Sequence, residues 1–329
     1  MFYLGIDVAK AKLDCYLLTQ LDPLKGKAKV VANTAKGLAD LLAWLTKNHI
    51  PPEQLHVTME ATGVYHELAA TLLHDAGVCV SIANPAQVKH FGQGLAVRTK
   101  TDGVDSQVLA RYCAMIKPAA WLPPPPEARI LKGLLARREA ILQDLLREQN
   151  RQEKAQSTVT PELIHQSITD SLAFLNAQLK KLQRQIDDHI GRHPGLKNDL
   201  NLLQTIPAIG PQSGTQLLAV MHTHQFSTAE QLSAYLGLVP VERQSGSSLL
   251  GRAKLSKAGP GPARVRAVLY MAAIVATKYN PHVKALFERL LARGKSKMSA
   301  LGACMRKLVH LCFGVLKTQK KYQAEYQNA

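Results

Sequence analysis

Asp102 and Asp105 stand three residues apart in the run Lys100-Thr101-Asp102-Gly103-Val104-Asp105, which opens into an apolar stretch at 108–115. At a helix start this spacing puts both carboxylates on one face, about one turn apart, near the positive end of the helix dipole. Two readings fit these six residues. The pair can offer oxygens to a divalent cation, or it can cap the helix and do nothing more. The acidic residues upstream bear on the choice. Asp7 closes an apolar segment at 2–8, and Glu60 follows another at 55–59. If those segments are neighbouring strands of one sheet, four carboxylates converge. With no matching basic cluster in the sheet, they repel strongly unless divalent cations hold them.

The elements that must position these groups are readable from periodicity. Apolar runs at 2–8, 12–19 and 27–32 predict three strands, with a Pro/Gly-containing turn at 22–26. A helical pattern through Leu38, Leu41, Leu42 and Leu45 follows, then a strand at 55–59, a helix at 65–76 and a strand at 78–82. Three early strands followed by alternating helices and strands predict a mixed α/β sheet, with ligands bound outside the carboxyl ends of its strands. Asp7 and Glu60 sit at such ends. The helix carrying Asp102 and Asp105 is placed to pack across them.

Trp121-Leu122-Pro123-Pro124-Pro125-Pro126-Glu127 is a stiff polyproline stretch and the clearest boundary in the chain. It divides an α/β domain at 1–120 from a helical region at 121–192, and a third region spans 193–329. In the helical region a helix at 128–156 precedes a second one starting at Pro161. That second helix bears a seam of Ile168, Leu172, Leu175, Leu179, Leu182 and Ile186 at heptad spacing, which predicts a helical hairpin or coiled coil. Beyond it, Leu202-Leu203-Gln204-Thr205-Ile206-Pro207-Ala208-Ile209-Gly210-Pro211 resembles a helix-hairpin-helix turn, a shape that meets phosphates without reading bases. Residues 240–266 form a Ser/Gly/basic loop with Arg243, Arg252, Lys254 and Lys257, a composition suited to phosphate. Apolar helices at 267–277, 284–291 and 300–316 complete a mainly α region.

Charge sharpens this division. The net charge is +17, and residues 191–329 carry 19 Lys and Arg against 5 Asp and Glu, so +14 of it lies there. A basic domain joined to a nearly neutral one points to a polyanion, and core-like apolar helices in the basic part favour nucleic acid over anionic membrane. No apolar run approaches the roughly 20 residues of a membrane span, and the N-terminus lacks a signal-peptide pattern. The five cysteines are scattered without a C-x-x-C pair, as expected of buried free thiols in a reducing cytoplasm rather than a zinc site. There is no Walker loop and no G-x-G-x-x-G run, so nucleotide hydrolysis is unsupported.

Gly5-Ile6-Asp7, Glu60-Ala61-Thr62-Gly63 and Lys100-Thr101-Asp102 with Asp105 together resemble the RuvC-like domain of the DEDD-type insertion-sequence transposases, a family that includes the Piv-type DNA invertases. The C-terminal half is similar too, in Ile206-Pro207-Ala208-Ile209-Gly210, Ser245-Gly246-Ser247-Ser248 and Leu255-Ser256-Lys257-Ala258-Gly259. The resemblance implies an RNase H-like catalytic domain, a coiled-coil middle and a C-terminal transposase domain. It places a metal-binding tetrad on Asp7, Glu60, Asp102 and Asp105, and a serine nucleophile on Ser245. It implies Mg2+, in a two-metal site where Mn2+ can substitute, and a bacterial, cytoplasmic, nucleoid-associated protein. The implied partners are donor and target DNA, a structured non-coding bridge RNA, and further copies of the chain, as dimers that pair into tetramers. Arg98, Lys100, Arg243, Arg252, Lys254 and Lys257 are the candidate nucleic-acid contacts. The expected reaction is site-specific recombination through a covalent serine–DNA link, which stores the phosphodiester energy without ATP. Two other readings compete: a Holliday-junction-type endonuclease that needs the carboxylates but not Ser245, and a non-catalytic nucleic-acid-binding protein.

Overall fold

The computed structural model describes residues 1–61, 63–96, 101–241, 244–245, 249–250, 254–255 and 261–325, and only the backbone at 244, 245, 249, 250 and 254. The chain divides into two compact units, Met1–Pro123 and Pro124–Ala329.

The first unit is built on a five-stranded mixed sheet of order β3-β2-β1-β4-β5. Strands β1 (Phe2–Val8), β2 (Lys12–Gln20) and β3 (Lys25–Ala32) form an antiparallel meander. Strands β4 (Leu55–Glu60) and β5 (Cys79–Ala83) add parallel to β1. This is the RNase H-like arrangement expected from the sequence. Alternation along β1 assigns its two faces. Leu4, Ile6 and Val8 enter a core with Leu38, Leu41 and Leu45 of α1 (Ala35–Lys47) and Ala69, Ala70 and Leu73 of α2 (His66–Asp75). Tyr3, Gly5 and Asp7 face the other way, toward α4 (Asp102–Ile116). Between β5 and α4 lies α3 (Pro85–Gly94), whose Val88 packs on Val108, Leu109 and Tyr112.

Helix α4 can lie this close only because residue 5 is glycine. A Cβ there would sit 2.0 Å from Ser106 O and 2.3 Å from Ala110 N, both backbone atoms that cannot swing aside. Further down, Ala110 packs on Tyr16 and Leu18. The helix therefore runs antiparallel to β1, its N-terminus over the carboxyl end of the strand. Its far end is held as well: Cys113 Sγ donates to His56 O at 3.4 Å, and Ser81 Oγ lies 2.8 Å from His56 Nε2 and 2.8 Å from Ala119 O.

In the second unit, α5 (Pro126–Gln156) and α6 (Glu162–Arg192) form the expected hairpin. The base of the heptad seam, Leu182 and Ile186, shares one core with Leu196 and Leu203 of α7 (Pro194–Gln204) and Leu217 and Leu218 of α8 (Pro211–Thr223). The helices that the sequence separates at residue 192 are thus one packed body. Between α7 and α8, Ile206 and Ile209 are buried while Ala208 takes a left-handed backbone with φ 80°. That conformation costs an alanine on the order of 1 kcal/mol.

The stretch expected as a Ser/Gly/basic loop contains short antiparallel pairs: β6 (Pro240–Val241) with β9 (Lys254–Leu255), and β7 (Gln244–Ser245) with β8 (Leu249–Leu250). Leu255 lies over Gly302, where a Cβ would come within 2.9 Å of it. Gly302 belongs to α12 (Lys297–Thr318), which packs with α9 (Ala229–Tyr235), α10 (Ala263–Tyr279) and α11 (Pro281–Ala292). By length and mean composition α12 is apolar enough to cross a membrane, although Arg306 and Lys307 break its apolar run as expected from the sequence. Its Leu, Val, Phe, Cys and Ala side chains keep hydropathy up around Arg306 and Lys307. Its Cys304, Leu308, Val309 and Cys312 are fully buried in the core of the unit. All five cysteines are free, and burial pushes the thiols of Cys15, Cys113 and Cys312 up to about 12.

Overpacking a contact made by two backbones costs about 1–3 kcal/mol or more. Gly5→Ala should therefore lose about 2–3 kcal/mol in denaturant unfolding; a loss under about 0.5 kcal/mol would show that α4 does not rest on residue 5.

Candidate metal centre

Asp7 is the last residue but one of β1 and faces α4. Its antiparallel partner across β1–β2 is Asp14, and its parallel neighbour, one step past the Ile6–Met59 pair, is Glu60. Above it lies the first turn of α4, with Asp102 and Asp105. One carboxylate oxygen from each of Asp7, Asp14 and Asp102 falls within 4.8 Å of the other two. Glu60 is half-buried at the end of β4. Among the described residues, Glu60 and Asp105 do not belong to that closest group.

The capping reading of Asp102 and Asp105 does not describe this helix. Thr101 is the N-cap, its Oγ1 accepting from Val104 N–H at 3.3 Å. The two aspartates follow the cap, where they gain from the dipole but are not needed to end the backbone.

No basic cluster was expected in the sheet, and a single lysine does meet the acids. Lys12, two residues before Asp14 and on the same side of β2, puts Nζ 2.7 Å from Asp102 Oδ2 and 3.0 Å from Asp14 Oδ2. Asp14 is 8 % exposed, a buried acid directly opposite another acid, which is unfavourable in an antiparallel pair. Neither residue was singled out from the sequence. The register pairs positions that sum to 21, Val8 with Leu13 and Asp7 with Asp14, a one-residue offset that the turn at 9–11 does not reveal by its length. The turn itself is clamped by Asn33, whose Nδ2 donates to Ala9 O and Tyr65 O, both at 3.0 Å. This ties the loop after Asp7 to the loop after Glu60.

The carboxylates do not share their charge evenly. Burial, then the nearby Asp102, Asp105 and Asp14, push Asp7 above the ordinary carboxylate range, against a smaller opposing pull from Val8 N–H. Asp102 moves the other way, held ionised by the hydrogen bond and charge of Lys12. A half-buried acid that resists ionisation, beside one held ionised, is an arrangement that added positive charge would relieve. Hard oxygen donors at this spacing fit Mg2+ or Mn2+ and give no thiolate or imidazole for zinc.

Of the other expected site residues, Ser245 lies in β7 and Lys254 in β9, with only their backbones described. Arg98, Lys100, Arg243, Arg252 and Lys257 lie outside the described residues, as does Thr62.

Two family models match the chain: a DEDD-type IS110 model described as a transposase over residues 4–161, and one described as "Transposase IS116/IS110/IS902 family" over residues 200–288. The pilin gene-inverting protein of Moraxella lacunata is 31% identical over 324 residues, 97% of this chain and 97% of that protein. The chain belongs to the IS110-type transposase family. It is a DNA recombinase. The pilin gene-inverting protein of Moraxella bovis is likewise 31% identical, with 97% of each chain covered. An uncharacterized 43.6 kDa protein of insertion element IS110 from Streptomyces coelicolor is 25% identical over 51% of this chain and 40% of its own length. Thermus thermophilus RuvC is similar at 18% identity and a TM-score of 0.29, and RuvC in complex with a Holliday junction substrate at 17% and 0.27. Each comparison covers 37% of this transposase and all of the RuvC chain.

The raised Asp7 has a consequence for stability. The unfolded chain releases this proton near the ordinary value of about 4, whereas the folded protein keeps it to higher pH. Stability therefore falls as pH rises from there through the folded value, and the deficit is complete above it. In the metal-free protein Asp7→Asn should raise the melting temperature on the order of 3 °C at pH 7, with the gain shrinking toward pH 4. Equal gains at both pH values would contradict the charge account.

Proposed function

We propose that this transposase cuts and rejoins DNA, with the Asp7, Glu60, Asp102 and Asp105 carboxylates holding divalent metal and the Ser245 hydroxyl as the nucleophile. The observation that carries the reading is the convergence of Asp7, Asp14 and Asp102 under the N-terminus of α4. Asp14, absent from the expected tetrad, joins it as a buried anionic support. When bound, a pair of divalent ions polarises the scissile phosphate and stabilises the departing 3′-oxygen.

The chain's own residues have distinct tasks. Asp102 and Asp105 are carried on a rigid helix seated on the sheet, so their oxygens keep a fixed distance from Asp7. Ser245 attacks phosphorus, forming a serine–phosphate ester and releasing a 3′-hydroxyl. Attack of another strand's 3′-hydroxyl on that ester restores the phosphodiester and frees the serine. No bond energy is lost to water, so no ATP is needed. Ser245 lies in a short β-ribbon rather than on a helix, next to the Gly246-Ser247-Ser248 segment.

Donor and target DNA are the substrates, and the +14 carried by residues 191–329 supports backbone contact through the second unit. Arg98, Lys100, Arg243, Arg252, Lys254 and Lys257 are assigned to phosphates. A structured non-coding RNA guides target choice, leaving the protein to read shape and backbone. The chain works as dimers that pair into tetramers. Family resemblance supports both of these assignments, together with a bacterial, cytoplasmic, nucleoid-associated setting and Mg2+ as the resident ion.

Ser245→Ala should abolish the protein–DNA adduct seen after denaturing electrophoresis while leaving Mn2+ binding intact. Asp102→Ala with Asp105→Ala should abolish both. Persistent strand cutting by Ser245→Ala would mark a hydrolytic, junction-type nuclease, and recombination by the double aspartate variant would mean the carboxylates are not catalytic.

A further inference from the structure

We propose that Lys12 is a resident counter-ion of the carboxylate site, and that divalent metal enters only by exchange with its ammonium group. The inference rests on the metal reading of this site given above. Lys12 Nζ contacts two of the three converging acids, 2.7 Å from Asp102 Oδ2 and 3.0 Å from Asp14 Oδ2. The Asp14 side chain is 12% exposed, and its buried Oδ2 makes no well-directed hydrogen bond even though the ammonium is adjacent. A buried acid oxygen with an ion pair but no directed donor is one that a metal can satisfy better than an amine does.

The space admits one cation at a time. The oxygens of Asp7, Asp14 and Asp102 lie within 4.8 Å of one another. A Mg2+ ion approaches carboxylate oxygen to about 2.0–2.1 Å. An ammonium group already bound to two of those oxygens would share ligands with the ion and repel it at short range. Lys12 is built to leave. Its side chain is 45% exposed, so the flexible stem can carry the charge into water while the backbone of β2 stays paired. No covalent bond changes in the exchange: the ammonium is released to solvent, and the oxygens pass to the metal.

A lysine that only supports the fold and one that competes with metal predict opposite behaviour on removal. Loss of a structural lysine lowers stability and metal affinity together. Loss of a resident counter-ion lowers the stability of the metal-free protein but raises its metal affinity.

The test is isothermal titration of the full-length protein with MnCl2 and MgCl2, alongside melting curves without metal, for wild type, Lys12→Met and Asp102→Asn. We expect Lys12→Met to melt lower without metal, to bind Mn2+ about fivefold tighter or more, and to gain more melting temperature from metal than wild type. Wild-type binding that is lost in Asp102→Asn but unchanged or weakened in Lys12→Met would overturn the proposal while leaving the metal site standing. If neither wild type nor Lys12→Met binds either ion, the metal reading falls and the proposal with it. Should Lys12→Met fail to fold, the pair Asp14→Asn and Lys12→Met with Asp14→Asn is compared in the same way. The lysine-free member should again bind Mn2+ more tightly, and equal or weaker binding overturns the proposal.

Discussion

Helix α4 rests on β1 at a place where a side chain as small as a methyl group would collide with the backbones of Ser106 and Ala110. This contact sets the height of the helix above the sheet, and the height sets where its first turn arrives. Residue 5 and residue 7 share a face of β1, so the position that admits the helix and the acid that meets its N-terminus are two residues apart by the period of a strand. A bulkier residue at position 5 would lift Asp102 and Asp105 away from Asp7 together. The glycine of Gly5-Ile6-Asp7 is therefore as much a part of the site as the aspartate.

The same seat concentrates like charge, and the structure handles this in three ways. The helix dipole lays its positive end over the carboxylates. Lys12 holds Asp102 ionised at an exposed edge. Asp7, where burial is greatest among the two, shifts upward instead. These responses are adequate for a resting protein, yet a divalent cation would serve better than any of them. A site under such electrostatic load stays folded because the surrounding core, with Leu4, Ile6 and Met59 fully buried beside it, does not depend on it.

Much of this was legible in the residues. Apolar runs bounded by Gly, Pro and Asn located the five strands, and Asp7 and Glu60 stand at the carboxyl ends of β1 and β4 as expected. Heptad spacing found α6 and its pairing with α5. What escaped was register and neighbourhood. Asp14 sits inside an apolar strand and looks like an incidental polar residue until the register sets it opposite Asp7. Lys12 adds one charge to a balanced domain, and composition cannot say that its ammonium meets two acids 2 and 90 positions away. The seam of α6 announces a partner helix but not that α7 and α8 close over its base. Two-residue strands such as β7 and β8 carry no periodicity at all, so the Ser245 ribbon was hidden in Ser/Gly composition.

The central claim is that the seated helix and the sheet make a divalent-cation site. A crystal of the full-length protein soaked in MnCl2 and measured at a wavelength where manganese scatters anomalously tests it most directly. The expected result is an anomalous peak within about 2.2 Å of oxygens from Asp7 and Asp102, with Lys12 turned away from both Asp14 and Asp102. A map with no peak among these carboxylates, and Lys12 still paired as it is in the metal-free protein, would contradict it.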